Sequence, residues 1–489
     1  MLTPTLTDFM ASCQTSALCP VWADEMADLE TPVSAFYKLG ALSDYAFLLE
    51  SVTGGERIAR YSYIGVGAKI VWRANGRDLR ETIDGEARSV DLGALDPISY
   101  VSREVTGKTH LSAHGLPPFS GGAVGWIGYD AVRLFERLPK PPTDDLKVDD
   151  LCLVVPSLVI AFDHAKRQMR LIATIRSGDK TEYEAAEATI ADALAKLKAP
   201  IQTSSDNAGE RASTIASNRS PEDFMAAARR AKEYIYAGDA IQVVLSQRFE
   251  TEADAPPFDI YRALRSLNPS PYMFYFKTPS EIVLGASPEI LVSVHDRKVT
   301  VRPIAGTRRR GESEDEDRRL EAELLSDEKE LAEHVMLVDL GRNDVGRVSE
   351  FGTVSVRDLM VVERYSHVMH IVSEVQGRLK EGLTAADALK ATFPAGTVSG
   401  APKVRAMQII DELEPTKRGL YAGALGYIGF SGDMDLCITI RTILIKDGKA
   451  YVQSGAGIVA DSEPELELAE TENKARAALA AIEMARRGL

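Results

Sequence analysis

Residues 420–459 read LYAGALGYIGF (420–430), SGDMD (431–435), LCITIRTILIK (436–446), DG (447–448) and KAYVQSGAGIV (449–459). Three long apolar segments rich in β-branched residues are separated by short turn sequences, of which Asp447-Gly448 is a strong signal for a two-residue hairpin turn. The stretch therefore predicts an antiparallel meander. A two-residue turn would pair Arg441 with Ser454 and place the guanidinium beside Gly455 and Gly457, where missing side chains leave room for a ligand.

The remaining strand signals predict the same class of fold. Segments 151–162 and 168–175 flank a turn at 163–166 and predict a hairpin, which a helix over 180–197 follows. The second half of the chain lacks the regular alternation of strands and helices that a doubly wound sheet requires. We therefore expect an α+β fold, with mostly antiparallel sheets forming a β-sandwich-like core and with peripheral helices.

A change of composition divides the chain into two halves. Residues 199–220 are rich in Ser, Thr, Asn and Pro and predict a linker, and Ser220-Pro221 is typical of a helix start. We expect an N-terminal half over residues 1–200 and a C-terminal half over 220–489. Within the second half, the acidic run 312–333 predicts a solvated loop leading into a helix that Ser326 caps.

Composition argues against several classes of partner. The net charge is −15, with 57 Lys and Arg against 72 Asp and Glu, which argues against a nucleic-acid surface. The longest strongly apolar run, 151–162, is too short for a membrane helix and contains Pro156. No basic residue precedes Lys38, so the N-terminus lacks the features of a signal or transit peptide. We expect a cytoplasmic protein that binds neither nucleic acid nor membrane.

The cysteines carry no metal or redox signal. None of the four shows C-x-x-C spacing, which fits a reducing compartment and argues against a zinc cluster. We expect small apolar filler at Cys13, Cys19, Cys152 and Cys437.

The stretch GTVSGAPK (396–403) carries the strongest chemical signal. Its glycines allow backbone N–H groups to approach an anion, Pro402 suits a first helical turn, and a helix N-terminus favours negative charge. The pattern predicts a carboxylate cradle ahead of a helix over 402–414. An ordinary capped loop before an amphipathic helix would give the same pattern. A nucleotide phosphate loop is excluded, because Ala401 and Pro402 separate the second glycine from Lys403.

GTVSGAPK resembles the G-T-x-S-G-A-P-K signature of the chorismate-utilising enzymes. Two further stretches, PIAGT (303–307) and GAG (455–457), resemble motifs of the same family, and the resemblance extends over nearly the whole chain. It implies that the chain binds chorismate through Gly306, Thr307, Tyr421, Arg441, Gly455, Ala456 and Gly457. The catalytic residues that it implies are Glu330 as acid or base near the leaving hydroxyl, His370 in the lyase step, Thr397 and Lys474.

The same resemblance implies a Mg²⁺ cofactor. Segments AEH (332–334) and ETENK (470–474) look like the family's two magnesium-ligand segments, with Glu333 and Glu470 at the ligand positions. Hard carboxylate oxygens that leave several waters in place suit Mg²⁺. Helical spacing puts Glu330 beside Glu333, and puts Glu467, Glu470 and Lys474 on one face of the last helix. Two solvated, charged helix faces would show the same spacing.

An acidic chain would repel a dianionic substrate, so its site needs local positive charge. The candidates are Arg441, Lys403, Lys474 and the metal ion. A guanidinium can hold a carboxylate with two parallel hydrogen bonds, which a lysine cannot do. Arg441 is therefore the best candidate for a carboxylate clamp.

Two positions distinguish members of the family. Ala305 stands at a position where the resemblance implies a nucleophilic lysine in aminodeoxychorismate-forming members. Gln242 stands at a position where it implies a lysine that activates water in isochorismate- and salicylate-forming members. Both departures imply ammonia as the nucleophile and an anthranilate-forming, pyruvate-releasing lyase at the first step of tryptophan biosynthesis. No cysteine nucleophile occurs in an amidotransferase context, so the resemblance implies a separate glutamine amidotransferase subunit. Release of aminodeoxyisochorismate, formation of aminodeoxychorismate, and a non-catalytic amino-acid-sensing subunit stay open.

Feedback inhibition by tryptophan is a further implication. LLES (48–51) resembles an element of the tryptophan-binding members of the family, and NPSPYM (268–273) resembles its partner segment. Either stretch alone would equally fit a strand end or a proline-rich turn. Together they favour a regulatory site between the two halves, formed by Glu50, Ser51, Pro271, Tyr272 and Met273. The resemblance thus implies that residues 1–200 form a regulatory half and residues 220–489 a chorismate-binding catalytic half.

Overall fold

The computed structural model describes residues 2–12, 18–51, 60–107, 115–176, 178–201, 214–365 and 368–489. Cys13 and most of the predicted linker lie outside these ranges. The predicted fold class is confirmed, because the described residues form two large antiparallel sheets with helices around them.

The helices in the described ranges cover the outer faces of the sheets. Ser220 caps the helix that Pro221 begins, and the helix predicted over 180–197 has these bounds. The α-helices are α1 (Leu6–Ser12), α2 (Pro32–Leu39), α3 (Pro97–Thr106), α4 (Lys180–Leu197), α5 (Pro221–Tyr236), α6 (Pro257–Leu267), α7 (Glu314–Ser326), α8 (Glu328–Val348), α9 (Ala385–Thr392), α10 (Lys403–Leu413) and α11 (Pro464–Arg487).

The first sheet, sheet A, consists of β1 (Leu18–Met26), β2 (Ala46–Glu50), β3 (Tyr61–Val66), β9 (Leu158–Asp163), β10 (Gln168–Arg176), β11 (Ala216–Ser217), β12 (Gln242–Glu252), β13 (Tyr272–Lys277), β14 (Glu281–Ser287), β20 (Gly400–Ala401), β23 (Thr442–Lys446) and β24 (Lys449–Ile458). Its strand order is β1-β10-β9-β3-β2-β13-β14-β23-β24-β12-β11, with β20 also paired to β12.

The second sheet, sheet B, consists of β4 (Ile70–Asn75), β5 (Asp78–Ile83), β6 (Glu86–Ser89), β7 (Gly122–Ile127), β8 (Leu151–Val155), β15 (Ile290–His295), β16 (Lys298–Val301), β17 (Ile304–Arg309), β18 (Ser355–Arg364), β19 (Val368–Arg378), β21 (Ala424–Gly429) and β22 (Met434–Ile438). Its order is β17-β19-β16-β15-β22-β21-β7-β8-β4-β5-β6, with β18 paired to β19.

The core of the sandwich lies between the two sheets. Side chains alternate along each strand, so Val154 of β8 packs into this core together with Trp126 and Phe276, whereas the neighbouring Leu153 packs outward. Helices α2, α4, α6 and α11 cover the outer face of sheet A. Helices α3, α8 and α9 cover the outer face of sheet B.

The chain changes sheets within two stretches that the sequence predicts as single strands. Run 151–162 forms β8 in sheet B and β9 in sheet A, with Pro156, which has no N–H for a ladder, between them. The predicted strand 436–446 forms β22 in sheet B and β23 in sheet A. One continuous meander was therefore the wrong interpretation of 420–459, because both sheets bury their faces and the apolar pattern continues through the change of sheet.

The predicted register of the last hairpin is confirmed from Lys446, opposite Lys449, to Ile443, opposite Val452. The ladder ends there, and Arg441 lies in the connection between the sheets with φ +50°. The predicted pairing of Arg441 with Ser454 is therefore wrong.

The acidic run 312–333 is helical, which corrects the predicted loop. Ser313 caps α7 by accepting a hydrogen bond from Glu316 N at 3.2 Å, and Asp327, not Ser326, caps α8. Carboxylates in a first helical turn are stabilised by the helix dipole. The run therefore supplies α7 and the first turns of α8, which carry predicted site residues.

Both sheets contain strands from each side of residues 199–220. In sheet A, β2 pairs with β13, and in sheet B, β7 pairs with β21. The division at residues 200 and 220 therefore separates two parts of the sequence but not two separate sheets. The assignment of a regulatory half and a catalytic half stays a prediction.

The described cysteines, Cys19, Cys152 and Cys437, are buried, as expected of apolar filler, and Cys152 and Cys437 are free thiols. Burial raises the pKa of the Cys152 thiol to about 12, which disfavours the reactive thiolate.

Across the described ranges, no helix is both long enough and apolar enough to cross a membrane.

Candidate active site

A cavity of about 550 Å³ is lined by residues of both sheets, of α8 and α11, and of the stretch 397–398. Pockets of this size enclose small organic ligands. The predicted site residues that line it are Gly306, Thr307, Glu330, Glu333, His370, Thr397, Tyr421, Arg441, Gly455, Gly457, Glu470 and Lys474. The structure does not bring Ala456 to the cavity, because β24 turns alternate side chains to opposite faces and Ala456 is fully buried on the other one.

The helical spacing of the acidic residues is confirmed. Glu330 and Glu333 of α8 line the cavity together with Glu467 and Glu470 of α11. Burial raises the pKa of Glu333, and the negative charges of Glu330 and Glu470 raise it further. Gln242 Nε2 lies 3.5 Å from Glu333 Oε1, at the long limit of a hydrogen bond. The two helix faces therefore form one acidic wall.

Glu289 is a cavity residue that sequence reasoning missed. It lies in the short connection between β14 and β15, where no helical spacing or charged neighbour marks it. Its Oε2 accepts a hydrogen bond from Thr397 Oγ1 at 2.9 Å. Burial raises the pKa of Glu289, although Thr397 and the positive charge of Arg441 oppose the shift. A partly buried carboxyl with a raised pKa can hold a proton for transfer.

His370 is fixed in one tautomer. Its Nδ1 lies 3.0 Å from the main-chain oxygen of Gly306 and 3.0 Å from Thr307 Oγ1. Because a carbonyl oxygen only accepts, Nδ1 carries the hydrogen and Nε2 is unprotonated in the neutral ring. Burial lowers the pKa of His370, which favours this neutral form. The ring is therefore suited to accept a proton at Nε2.

Arg441 provides an uncommitted guanidinium. It lines the cavity, and no described side chain forms a hydrogen bond or ion pair with it. Its left-handed φ of +50° costs roughly 1–3 kcal/mol in a non-glycine residue, and such strain concentrates at functional sites. The side chain can hold a planar carboxylate through two hydrogen bonds.

The space beside the glycines of β24 is partly filled by side chains of the protein itself. A Cβ at Gly455 would lie 2.6 Å from the Tyr421 hydroxyl, and one at Gly457 would lie 2.4 Å from Gln242 Nε2. Tyr421 and Gln242 therefore occupy much of the space that the sequence assigns to a ligand.

The two lysine candidates have different environments. Lys474 lines the cavity, where its Nζ pairs with Glu470 Oε1 at 2.6 Å and donates to the main-chain oxygen of Gly455 at 3.0 Å. Lys403 instead forms a buried ion pair with Asp344 at 2.7 Å. Lys403 is also not among the residues that line the cavity, so of the two lysines only Lys474 lies where a substrate could bind.

The donor set fits a hydrated Mg²⁺ better than an ion fully enclosed by protein. No group of three or more metal-ligating side chains in the described ranges is arranged to hold an ion by itself. Mg²⁺ commonly takes one or two carboxylates and completes its shell with water and substrate oxygens. The carboxylates of Glu333 and Glu470 repel each other within the acidic wall, and a divalent cation bound between them would relieve this repulsion.

The predicted tryptophan residues come together on β2 and β13. Met273 lies opposite Glu50 in the ladder between these strands, and Ser51 follows Glu50. The carboxylate of Glu50 accepts hydrogen bonds from the Tyr261 hydroxyl at 2.7 Å and from Arg265 Nε at 3.0 Å. Two segments far apart in sequence thus lie side by side, with Glu50 and Met273 buried between their neighbours.

Tyr272 and Pro271 lie at the start of β13. The Tyr272 hydroxyl donates to Asp435 Oδ1 of β22 at 3.2 Å. Burial raises the pKa of Asp435 to about 6, and Pro271 is also buried. The regulatory prediction therefore involves residues that connect sheet A to sheet B.

Comparisons with known proteins find relatives that match nearly the whole chain. The family described as chorismate binding enzyme matches residues 46–480. The chain is 48% identical to anthranilate synthase component 1 of Acetivibrio thermocellus, with 99% of both chains covered, and 50% identical to that of Thermus thermophilus, with 95% of this chain and 98% of the relative covered. The crystal structure of anthranilate synthase component I from Streptococcus pneumoniae is similar with a TM-score of 0.77 and 42% identity, covering 86% of this chain and 92% of the other.

Proposed function

The chain belongs to the chorismate binding enzyme family, within its anthranilate synthase component 1 group, and we propose that it converts chorismate and ammonia to anthranilate and pyruvate. The observation that carries the proposal is one cavity with the uncommitted Arg441 guanidinium, the acidic wall of α8 and α11, and the neutral His370. A dicarboxylate could bind between the guanidinium and a metal ion on that wall.

Substrate binding follows from these charges. One carboxylate of chorismate pairs with Arg441, and Glu333 and Glu470 would hold a Mg²⁺ that would supply a positive charge for the other. Two anchors fix the ring and remove most of its rotational freedom, which is a large contribution to rate. Tyr421 closes one wall beside Gly455.

The first step joins ammonia to C2 of the ring while the C4 hydroxyl leaves as water, and it forms aminodeoxyisochorismate. The leaving oxygen requires a proton. Glu289 is better suited to donate it than Glu330, because burial raises the pKa of Glu289 whereas Glu330 Oε1 is engaged by Arg308 Nη1 at 3.1 Å. This assignment differs from the role of Glu330 that the family resemblance implies.

The second step removes pyruvate. Nε2 of His370 accepts the C2 proton, and the electron pair of the C2–H bond forms the double bond that makes the ring aromatic. The C3–O bond breaks at the same time, and its electron pair leaves on the enolpyruvyl oxygen. The enolpyruvyl group leaves as pyruvate after protonation. The hydrogen bond from Nδ1 to the Gly306 oxygen holds the required tautomer throughout.

Gln242 supports ammonia as the nucleophile. The residue is 4% exposed, its Oε1 has no hydrogen-bond partner among the described residues, and it lines the cavity. A neutral amide cannot deprotonate water, but its carbonyl can accept an N–H of ammonia. Ammonia then comes from a separate glutamine amidotransferase subunit, since the sequence offers no thiol nucleophile for that chemistry. Tryptophan inhibits the enzyme through the residues at which β2 pairs with β13.

The test uses the purified chain with chorismate and Mg²⁺. We expect fluorescent anthranilate with an ammonium salt and none with glutamine alone, and we expect glutamine to become a substrate when an amidotransferase partner is added. Mass spectrometry distinguishes anthranilate from the alternatives, because aminodeoxyisochorismate or aminodeoxychorismate, two isomers that both retain the enolpyruvyl group, would accumulate at a higher mass. A sensor subunit would give no product at all.

A further inference from the structure

Arg418 lies behind the catalytic cavity, between β12, the stretch 397–398 and Tyr421. Its side chain is 1% exposed and is not part of the cavity lining. We propose that Arg418 is a positioning residue that holds three walls of the cavity in register, an inference that rests on the proposed function. Its guanidinium acts through other residues and touches no substrate.

Two of these walls are held by their main-chain oxygens. Arg418 Nη1 donates to the oxygen of Val398 at 2.7 Å, and Nη2 donates to the oxygen of Val244 at 2.7 Å. Both valines line the cavity. Val398 directly follows Thr397, whose hydroxyl binds Glu289, so the first of these bonds fixes the segment that sets the proposed proton donor.

The third wall is the ring of Tyr421. The guanidinium carbon of Arg418 lies 5.4 Å from the centre of this ring and 4.8 Å from the centre of the Tyr129 ring. Such contacts between a cation and an aromatic ring are stronger when both are buried. The position of the Tyr421 hydroxyl against Gly455 depends on this stack.

Glu414 completes the arrangement. It accepts from Arg418 Nε at 2.8 Å and from Nη2 at 2.6 Å, and its Oε1 also accepts from the main-chain N and the Oγ of Ser246 at 2.8 Å each. Ser246 Oγ accepts from Gln453 Nε2 at 2.8 Å, and Gln453 lines the cavity. One buried ion pair therefore reaches four residues of the cavity wall.

Stability alone does not explain this ion pair. Desolvation of two buried charges offsets much of their attraction, and apolar residues of similar volume often stabilise a fold as well or better. What a guanidinium adds is several donors fixed in one plane, aimed at carbonyl groups of different segments. A lysine could pair with Glu414 but could not hold the Val244 and Val398 oxygens at the same time.

Arg418→Lys is the central experiment, with Arg486→Lys as its matched control. Arg486 is also 1% exposed in its side chain and binds Asp254, Glu483 and the Glu252 oxygen, far along α11 from the cavity. We expect both variants to lose thermal stability to a similar degree. Only Arg418→Lys should lower kcat, by about 10- to 100-fold, because small misplacements of catalytic groups have effects of this size.

Hydrogen–deuterium exchange gives a readout that is independent of activity. We expect faster exchange in peptides covering 396–401 and 242–246 in Arg418→Lys and no change there in Arg486→Lys. Equal kcat values and equal exchange in the two variants would overturn the positioning role. If Arg418→Lys does not fold, Glu414→Gln replaces it, with the same expected loss of kcat and the same opposing result. Absence of anthranilate with the unmodified chain would instead reject the proposed function, while the exchange data would still test the positioning.

Discussion

The main-chain N–H of Ala286 donates a hydrogen bond to the main-chain oxygen of Arg441 at 3.2 Å. Ala286 lies opposite Met273 in the ladder between β13 and β14, and Met273 lies opposite Glu50 in the ladder between β13 and β2. Two ladder steps therefore connect the predicted tryptophan-binding residues with Arg441, whose guanidinium lines the cavity. A ligand that displaced β13 against β2 would have a direct mechanical route to Arg441.

The first prediction concerns this route. Met273→Thr and Ser51→Phe should leave turnover largely intact and remove inhibition by tryptophan, because they change the proposed binding surface without touching the cavity. Anthranilate formation measured against tryptophan concentration tests this. By linkage, chorismate should weaken tryptophan binding to the unmodified chain by the factor with which tryptophan weakens chorismate binding. Unchanged inhibition in both variants, or an unmodified chain insensitive to tryptophan, would show that the regulatory site is wrongly assigned.

The second prediction concerns Arg441 itself. Arg441→Lys keeps the charge but loses the paired hydrogen bonds, so kcat/KM for chorismate should fall about 100-fold. Arg378→Lys on the exposed end of β19 serves as control and should behave like the unmodified chain. Near-normal kinetics of Arg441→Lys would place its guanidinium outside the substrate site.

The position of Arg441 also shows how far the sequence predicts this structure. The hairpin turn at Asp447-Gly448, the register of its strands and the acidic faces of α8 and α11 follow from local patterns, and they are confirmed. The change of sheet at 439–441 does not follow, because apolar alternation looks the same whichever sheet buries the strand. The left-handed backbone of Arg441 arises only from that connection.

The candidate site shows the same limit. The family motifs identify cavity residues that lie on different elements, but they do not include Glu289 or Arg418. Glu289 is a single acid in a turn, and its raised pKa depends on tertiary burial. Arg418 acts on main-chain oxygens, and which oxygens an arginine reaches cannot be read from its sequence neighbours. Ala456 does not line the cavity for a simpler reason, since alternation along β24 turns its side chain to the other face.

The third prediction concerns the metal. Glu333→Gln and Glu470→Gln should each raise the Mg²⁺ concentration needed for half-maximal activity by at least about tenfold, because a neutral amide is a weaker ligand for a hard cation. Calorimetric titration with Mg²⁺ should show the same loss of affinity without substrate turnover. Glu472→Gln, an exposed acid on the same helix, controls for the loss of one negative charge. Equal Mg²⁺ dependence of all three variants would contradict the assignment.

The last prediction is a pH dependence that separates Glu289 from Glu330. The proton-donating form of Glu289 exists below its raised pKa, so kcat/KM should decline as the pH rises through that pKa. The charged groups around it act in opposite directions: Arg441 and Lys474 lower the pKa of Glu289, and Glu333 raises it. The hydrogen bond from Thr397 lowers this pKa as well, so Thr397→Val should move the decline to higher pH.

Glu289→Gln should lower kcat at least about 100-fold and remove this declining limb of the pH profile, whereas Glu330→Gln should retain the limb. A profile of kcat/KM against pH for the three variants measures both effects. A limb that survives in Glu289→Gln and disappears in Glu330→Gln would assign the proton to Glu330 instead.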